Sequence, residues 1–553
     1  MKLFKLSPIA LALASFQVFA GSPNQPDAGR TLQENAPVIQ APIESQKIEI
    51  EAPAITEAVA GGAVVKVESV SFSGNTVYDA DQLNLVVGAV SGKEYDLAGL
   101  KSIANQISQY YRQNGYSFAR AYLPAQPVKD GVVQIAVIEG NYGSVATVGD
   151  EKLAPPAQKF LSSLSAGQPI HAAELERAVL VLDDQPGIKV TPLVRPGQAV
   201  GTGDLDVRVD REKRFSGVIS ADNHGNRYTG RNRVRASVSA DSPFMLGDQL
   251  SATGLYTSED MWFGVVDYSL PIGGSGLRAK AGASHVYYEL GKQFKSLDAQ
   301  GTADIIEAGL SYPIFRSQRA NLNVSATYQQ KWFTDEQKAN NTKDRKSSDV
   351  LPISLSFDLR DGLAGGGVTY GSITWTHGDL DLGNGTDKVN DAKSKTDGRF
   401  NKLNLDVARI QLLPNQFTAY ARVSAQYANE NLDSSEGFGL GGVNGVRAYP
   451  SGEAFGDEGA LFQAEVRYAK ALSNGVSVNP YLFYDVGTIK VNQNNWTTDD
   501  NRRTLSGAGL GVRASYKGWN ANTVLAWRMT GGKPESDTKD HIPMFWMTAG
   551  YQF

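Results

Sequence analysis

The clearest pattern in the sequence is an alternation of apolar and polar residues in its carboxy-terminal part. In the segment FTAYARVSAQY every second residue from Phe417 to Tyr427 is apolar, while Thr418, Arg422 and Gln426 lie on the other face. Ten residue steps of ~3.3 Å, tilted by about 45°, span roughly 23 Å, which is close to the apolar band of an outer-membrane barrel. Because an aromatic residue stands at each rim, this pattern predicts a strand that crosses a bilayer.

The same alternation recurs in neighbouring segments, so the prediction extends over residues 215–553. Short turns alternate along the chain with long polar stretches. The short turns are PIGGSG, LLPNQ, ALSNG and YKGWN, and the polar stretches are residues 290–299, 333–349, 379–398, 430–459, 491–503 and 530–542. Short periplasmic turns and long external loops are typical of membrane barrels, and their spacing gives about sixteen strands. A soluble β-sandwich is the alternative, but its apolar face needs no aromatic rims at bilayer spacing.

The amino terminus predicts export from the cytoplasm. Lys2 and Lys5 precede an apolar run that is too short for a spanning helix, and small residues stand before Gly21. This arrangement is typical of a signal peptide, which we assign to residues 1–20.

Four segments with different textures separate the signal peptide from the barrel. Residues 21–36 contain a short helix that begins near Asp27, and residues 37–62 are punctuated by prolines and end in glycines, which indicates a linker. Residues 63–140 and 141–214 each combine short strands with an amphipathic helix, so each predicts a small α+β module. For residues 21–62, a frayed tail is the alternative.

Composition excludes several classes of function. The chain of 553 residues has no cysteine, which excludes a disulfide scaffold, a thiolate metal site and a cysteine nucleophile. Its net charge of −5 offers no basic surface, so we expect no nucleic-acid partner. The five histidines are scattered without ligand spacing, and no nucleophile elbow or P-loop occurs. We therefore expect no catalytic residue, no cofactor and no metal.

A glycine-rich loop and an inward-facing aspartate form the candidate site. The loop after the Phe417–Tyr427 strand is dense in glycine, which lets it fold back closely against a wall. Strand parity in NPYLFYDVGTI turns Asp485 inward, where it could accept a bidentate bond from Arg447 of the loop. The alternative is an ordinary lumen charge solvated by pore water. The residues of this candidate site are Val446, Arg447, Tyr449, Phe483, Asp485 and Gly487.

The final segment alternates as well, and the printed sequence stops on an aromatic residue. Tyr551 and Phe553 lie on its apolar face. A terminal aromatic on an alternating strand resembles the signal by which bacterial barrels are recognised for membrane insertion, and we expect these two residues to carry that signal.

In this order, the segments resemble the outer-membrane transporters of two-partner secretion. The resemblance is to the TpsB family, of the ShlB/FhaC/HecB type, within the superfamily that also holds the barrel-assembly proteins. It rests on the order of all segments, on the loop VRAYP and on the strand FYDVG. The family's Val-Arg-Gly-Phe/Tyr pattern is met except that Ala448 replaces the glycine, which leaves the local backbone conformation open.

The resemblance implies a fold and a function. The fold is an all-β transmembrane barrel of about sixteen antiparallel strands, with two amino-terminal α+β POTRA-like domains and a short plug helix that holds Asp27, Arg30 and Leu32. The function is not enzymatic: the POTRA domains would recognise a large exoprotein in the periplasm, and the barrel, with porin activity, would export it unfolded to the cell surface. Arg447 and Asp485 would lock the loop to the wall.

The resemblance also implies partners and leaves alternatives. The partners are a TpsA-like exoprotein, recognised through its amino-terminal secretion domain, the lipid of the outer membrane, and the barrel-assembly machinery during biogenesis. An assembly and insertion factor of the same superfamily is the alternative function, although such factors typically carry more POTRA modules and no plug helix. A passive porin would need no periplasmic modules, and a hydrolase would need a catalytic set. The sequence does not tell an adhesin from a cytolysin or a contact-dependent toxin as cargo.

Overall fold

The structure is a computed structural model that describes residues 26–35, 39–42, 60–473 and 475–553. The predicted signal peptide and most of the predicted linker lie outside the described residues. The described chain begins with a short helix, α1 (Ala28–Glu34), continues with two small modules, and ends in a closed barrel. None of the helices in these residues is long and apolar enough to cross a membrane.

The first module joins two small sheets to two helices. The helices are α2 (Ala80–Val87) and α3 (Leu97–Gln113), and the strands are β1 (Val65–Val67), β2 (Ser69–Ser73), β3 (Lys93–Tyr95), β4 (Arg120–Tyr122) and β5 (Val132–Ile138). Strand β5 lies between β2 and β4, and β1 pairs with β3. The Asp96 carboxylate accepts the Gly99 N–H at 2.8 Å and so caps α3, as its position in the sequence indicates. The pattern did not indicate α2, which is short.

A buried carboxylate ties a loop of the first module to its sheet. Glu139 is 4 % exposed. It accepts hydrogen bonds from the backbone N–H of Thr76 at 2.6 Å and of Val77 at 2.8 Å, and from the Tyr111 hydroxyl at 2.8 Å. Burial by itself raises the pKa of the Glu139 carboxyl, but the hydrogen bonds outweigh burial and hold this pKa below its ordinary value.

We therefore expect the first module to loosen in acid. Because the folded-state pKa of Glu139 is lowered, its stabilising contribution is present above the ordinary pKa of 4.5 and is lost as the pH falls through the folded value. Hydrogen–deuterium exchange, corrected for the intrinsic rate, should show faster exchange at Thr76 and Val77 in acid. Glu139→Gln should show that loss already at neutral pH, and protection equal to wild type in this variant would contradict the assignment.

The second module is a three-stranded sheet covered by helices. Its helices are α4 (Ala154–Ala157) and α5 (Ala172–Asp183), and its strands are β6 (Asn141–Gly149), β7 (Ile188–Pro196) and β8 (Thr202–Arg211). Strand β8 lies between β6 and β7. The predicted apolar face of α5 is buried in the core, and the helix ends before Pro186 and Gly187, which cannot readily continue it.

The second module is fixed to the barrel at the turn around residues 316–320. The Arg316 guanidinium donates to both carboxylate oxygens of Asp184, at 2.7 and 2.6 Å. The Arg177 guanidinium donates to the Pro313 carbonyl at 2.7 Å, and the Gln318 N–H donates to the Glu176 carboxylate at 2.7 Å. These contacts hold α5 directly against the barrel rim.

The rest of the chain forms a closed antiparallel barrel. Its strands before the longest loop are β9 (Phe215–Asp222), β10 (Arg233–Asp241), β11 (Gln249–Thr257), β12 (Trp262–Pro271), β13 (Arg278–Glu289), β14 (Ala299–Arg316), β15 (Ala320–Gln337), β16 (Thr342–Asp361), β17 (Gly367–Asp381), β18 (Gly398–Leu412) and β19 (Phe417–Ala428). A helix, α6 (Thr386–Ser394), lies between β17 and β18.

Further strands complete the barrel and its longest loop. The loop contains the short pair β20 (Phe438–Gly439) and β21 (Phe455–Gly456); the wall continues with β22 (Glu458–Tyr468), β23 (Lys470–Ala471), β24 (Ser477–Lys490), β25 (Arg502–Tyr516), β26 (Trp519–Thr530) and β27 (Met544–Gln552). Both β22 and β23 pair with β24 and act as one interrupted strand. The described barrel thus has sixteen strands and closes where β27 pairs with β9, which confirms the predicted fold class.

The two faces of the wall follow the alternation of the sequence. On β19, Val423 and Tyr427 are 41 % and 60 % exposed and face outward, whereas Arg422 and Gln426 are 8 % and 5 % exposed and face the interior. One predicted loop is wrong: residues 333–349 are strand at both ends, because β15 runs to Gln337 and β16 starts at Thr342. These ends of β15 and β16 have polar residues on both faces of the strand, so the alternation that marks the other strands is absent there.

Candidate functional site

The lumen contains part of the chain itself. Helix α1 lies in the external half of the barrel, against β13, β14, β15 and the loop after β19. The Asp27 carboxylate accepts the Arg30 N–H at 2.7 Å and caps the helix, as predicted for its start. The Ala28 N–H donates to Asp335 of the wall at 3.0 Å, and the Arg30 guanidinium lies 5.3 Å from the ring centre of Phe455 in the loop.

The far end of the helix is held by the wall and by the loop between β9 and β10. Asn226 donates to the Glu34 carboxylate at 3.1 Å, and Arg233 donates to the Asn35 side chain at 3.1 Å. Leu32 is partly buried and packs against the apolar cluster around Tyr228. All three residues predicted for this helix therefore lie in it or at its cap.

The loop after β19 folds back into the barrel and places Arg447 against the wall. The Arg447 guanidinium donates to both oxygens of Asp485 on β24, at 2.8 and 2.7 Å, and its backbone N–H donates to the same carboxylate at 3.0 Å. The guanidinium carbon also lies 3.7 Å from the ring centre of Phe483. Asp485 is fully buried and Arg447 is 4 % exposed, so this pair is shielded from solvent.

A second carboxylate, besides that of Asp485, binds the Arg447 guanidinium. Glu465 on β22 accepts its remaining nitrogen at 2.5 Å and also binds Arg513 and Arg467 of the wall, at 3.1 and 2.7 Å. Alternation along β22 turns Glu465 inward, and the register between β22 and β24, in which Glu465 faces Phe483, brings it to the arginine. Glu465 is therefore a member of the candidate site that the sequence did not indicate.

Two glycines of the wall make room for the loop. A Cβ atom at Gly487 would lie 2.6 Å from Leu440 of the loop, and one at Gly507 would lie 2.3 Å from the Cβ of Ala448. Val446 is fully buried in the same cluster. Ala448, which replaces the family's glycine, is absent from the positive-φ residues of the described chain, so its backbone does not demand glycine.

The loop is also tied to the last strand and to the loop before it. The Tyr449 hydroxyl lies 2.8 Å from the Thr530 carbonyl and 3.1 Å from that of Gly532. The indole N–H of Trp546 on β27 donates to the Arg447 carbonyl at 2.7 Å. Sequence reasoning missed Trp546, although its inward parity on the alternating final strand was a usable signal. Tyr551 and Phe553 lie near the opposite end of the same strand, 37 % and 46 % exposed.

Comparison with known proteins places the chain in a family. Residues 201–514 match the family described as haemolysin secretion/activation protein ShlB/FhaC/HecB, and residues 65–140 match the POTRA domain of ShlB type. The chain belongs to this ShlB/FhaC/HecB family. A relative in Haemophilus influenzae, described as heme/hemopexin transporter protein HuxB, is 31 % identical over 482 residues, covering 85 % of this chain and 83 % of that protein.

Other relatives and solved structures agree with the family and the fold. The outer membrane transporter CdiB of Dickeya dadantii is 24 % identical and covers 92 % of each chain. The structure of CdiB from Escherichia coli aligns with a TM-score of 0.74 at 18 % identity, over 95 % of each chain. BamA from Haemophilus ducreyi lacking POTRA domains 1-3 aligns with a TM-score of 0.50 at 14 % identity, over 88 % of this chain and all of that chain, which shows the fold alone.

Family membership fixes the class of the protein. It is a two-partner secretion transporter of the outer membrane, its POTRA region lies in the periplasm, and it moves an exoprotein across the outer membrane. The ShlB/FhaC/HecB relatives are transporters and not enzymes, which confirms the prediction of a non-enzymatic chain.

Proposed function

We propose that the exoprotein crosses the membrane unfolded through the barrel lumen, after capture by the POTRA modules and departure of α1, which plugs the lumen at rest. One observation carries this proposal: the lumen already holds a piece of polypeptide. Helix α1 occupies its external half, and the Pro42 carbonyl accepts a hydrogen bond at 3.2 Å from Arg360 at the periplasmic end of β16. A lumen that accommodates the chain's own segment has room for one strand of another.

The lining of the lumen supports passage of an unfolded chain. Around the helix and the loop, inward side chains such as Asn404, Arg422 and Gln426 are polar and can solvate a peptide backbone. The periplasm supplies no nucleotide that could drive transport. We therefore propose that the free energy of folding of the exoprotein outside the cell gives the transport its outward direction. The loop pinned by Arg447 and Asp485 would keep this conduit clear on one side.

For capture, the two edges of the second module's sheet are unequal. The β6 edge is covered: the Gln158 side chain accepts the Thr147 N–H at 2.8 Å and donates to the Val145 carbonyl at 3.1 Å. Strand β7 lies at the other edge and exposes Leu193, which is 56 % exposed. We propose that an extended segment of the exoprotein adds to β7 and packs against Leu193.

We expect Leu193→Lys to weaken binding of the exoprotein's secretion domain roughly tenfold, since burying a leucine contributes ~1.5–3 kcal/mol. Co-expression with a candidate exoprotein, assayed in the medium, should show export by wild type and reduced export by this variant. Val148→Lys, on the covered strand β6 and 41 % exposed, is the matched control and should bind normally. Equal binding by both variants would remove β7 from recognition.

A further inference from the structure

Helix α1 rests on a short turn at the start of the loop after β19, which we name the seat turn, residues 433–436. The Ser434 hydroxyl donates to the Asp27 carboxylate at 2.9 Å, and the Gln33 side-chain amide donates to the Ser435 carbonyl. A Cβ atom at Gly29 would lie 2.4 Å from the Ser434 hydroxyl and 2.6 Å from the Ser435 nitrogen. The helix and the seat turn are therefore in direct contact, with no space between them.

Buried ion pairs fix the seat turn to the wall. The Glu436 carboxylate is bonded to Lys331 on β15 at 2.6 Å and to Lys402 on β18 at 2.7 Å. At the other end of the turn, the Asp433 carboxylate is bonded to Lys346 on β16 at 2.6 Å. Glu436 is 3 % exposed, so its two pairs are shielded from water.

The backbone of the seat turn depends on the same groups. The Glu436 carbonyl accepts the Lys402 ammonium at 3.0 Å and the Gln426 amide at 2.9 Å. The Ser435 N–H donates to the Asp433 carboxylate at 3.0 Å. Lysines on three different strands thus hold both ends of the turn, and none of these strands carries a carboxylate that binds Arg447.

We propose that Glu436 is a positioning residue for the plug: its pairing with Lys331 and Lys402 keeps the seat turn in place, and the seat turn keeps α1 in the lumen. This inference rests on the proposed plugging role of α1. Without the carboxylate, two buried ammonium groups face each other without a counter-charge, which disfavours the present position of the turn. The helix then loses the surface against which Gly29 packs.

A single engineered cysteine can report the position of α1, because the chain has no native cysteine. Thr31 of α1 is 1 % exposed, and its hydroxyl has no hydrogen-bond partner, so Thr31→Cys is a mild change. In the purified full chain, a water-soluble maleimide should label this cysteine slowly. Glu436→Gln should raise the labelling rate roughly tenfold, which corresponds to ~1.4 kcal/mol in the helix equilibrium, and should raise pore conductance in planar bilayers.

Matched variants make the result specific. Asp267→Asn breaks a wall pair with Lys280, 3.1 Å in length and away from α1, and should leave labelling unchanged. Lys346→Gln, which unpairs the other end of the seat turn, should also raise labelling and stands in if Glu436→Gln does not assemble. Glu436→Asp keeps the charge and should raise labelling less than Glu436→Gln.

The two proposals fail in different ways. If deletion of residues 22–36 raises conductance but neither Glu436→Gln nor Lys346→Gln raises labelling, the positioning role of Glu436 is overturned and the plug stands. If the deletion itself leaves conductance unchanged, α1 is not a plug, and the positioning role of Glu436 for the plug is overturned as well.

Discussion

Replacing Arg447 by alanine is expected to reduce export roughly tenfold or more while the barrel still assembles. The change leaves the carboxylate of Asp485 buried and without its bidentate partner, and breaking a buried pair costs on the order of 3–5 kcal/mol. The loop then loses its fixed position against β24 and can move into the path of the exoprotein. Export would be measured as exoprotein in the medium, and assembly by the heat-dependent shift of folded barrels in gels.

The partner and a neighbour provide the controls for this prediction. Asp485→Ala should reduce export to a similar extent, and the double variant should be little worse than either single one, because both remove the same interaction. Arg513→Ala removes one of the arginines that bind Glu465 but leaves Arg447 paired with both Glu465 and Asp485, so it should export nearly as wild type does. Wild-type export by both single variants would remove this ion pair from the mechanism.

Deleting residues 22–36 is expected to raise ion conductance severalfold in planar bilayers. The deletion removes α1, whose residues lie in the external half of the lumen and contact three strands of the wall. Gly29→Val is a finer version of the same test: its side chain would collide with Ser434 and Ser435, and the helix would leave its place without any loss of chain.

A second glycine serves as the matched control for the plug variant. Gly254 lies on a strand, and a Cβ atom there would meet nothing within 4 Å, so Gly254→Val should leave conductance at the wild-type value. If the deletion and Gly29→Val both conduct as wild type does, α1 does not close the pore.

The features of the structure that depend on strand parity were the ones best predicted from the sequence. The period of two fixes which side chains enter the lumen, so the inward positions of Phe483 and Asp485 follow from a few neighbouring residues. The prediction of a loop at residues 333–349 was wrong for the opposite reason. There β15 and β16 continue as strands with polar residues on both faces, so no alternation of apolar and polar residues marks them. The length of these strands was therefore hidden.

Contacts between distant segments could not be predicted in the same way. Glu465 reaches Arg447 through the register of two strands, and Glu436 meets Lys331 across 105 residues of chain. Each charge is visible in the sequence, but a lumen holds many charges of both signs, and only the fold selects their partners. Local patterns therefore indicated one ion pair of the loop and missed the seat turn.

Two adjacent residues of β18 can show whether the exoprotein travels inside the barrel. Asn404 lines the lumen, and Leu403 is 45 % exposed on the outer face. A photo-crosslinker is placed at each position while export is stalled by a tightly folded carboxy-terminal domain on the exoprotein. If the exoprotein passes through the lumen, it should crosslink to position 404 and not to position 403. Crosslinks from position 403 alone would contradict passage through the lumen.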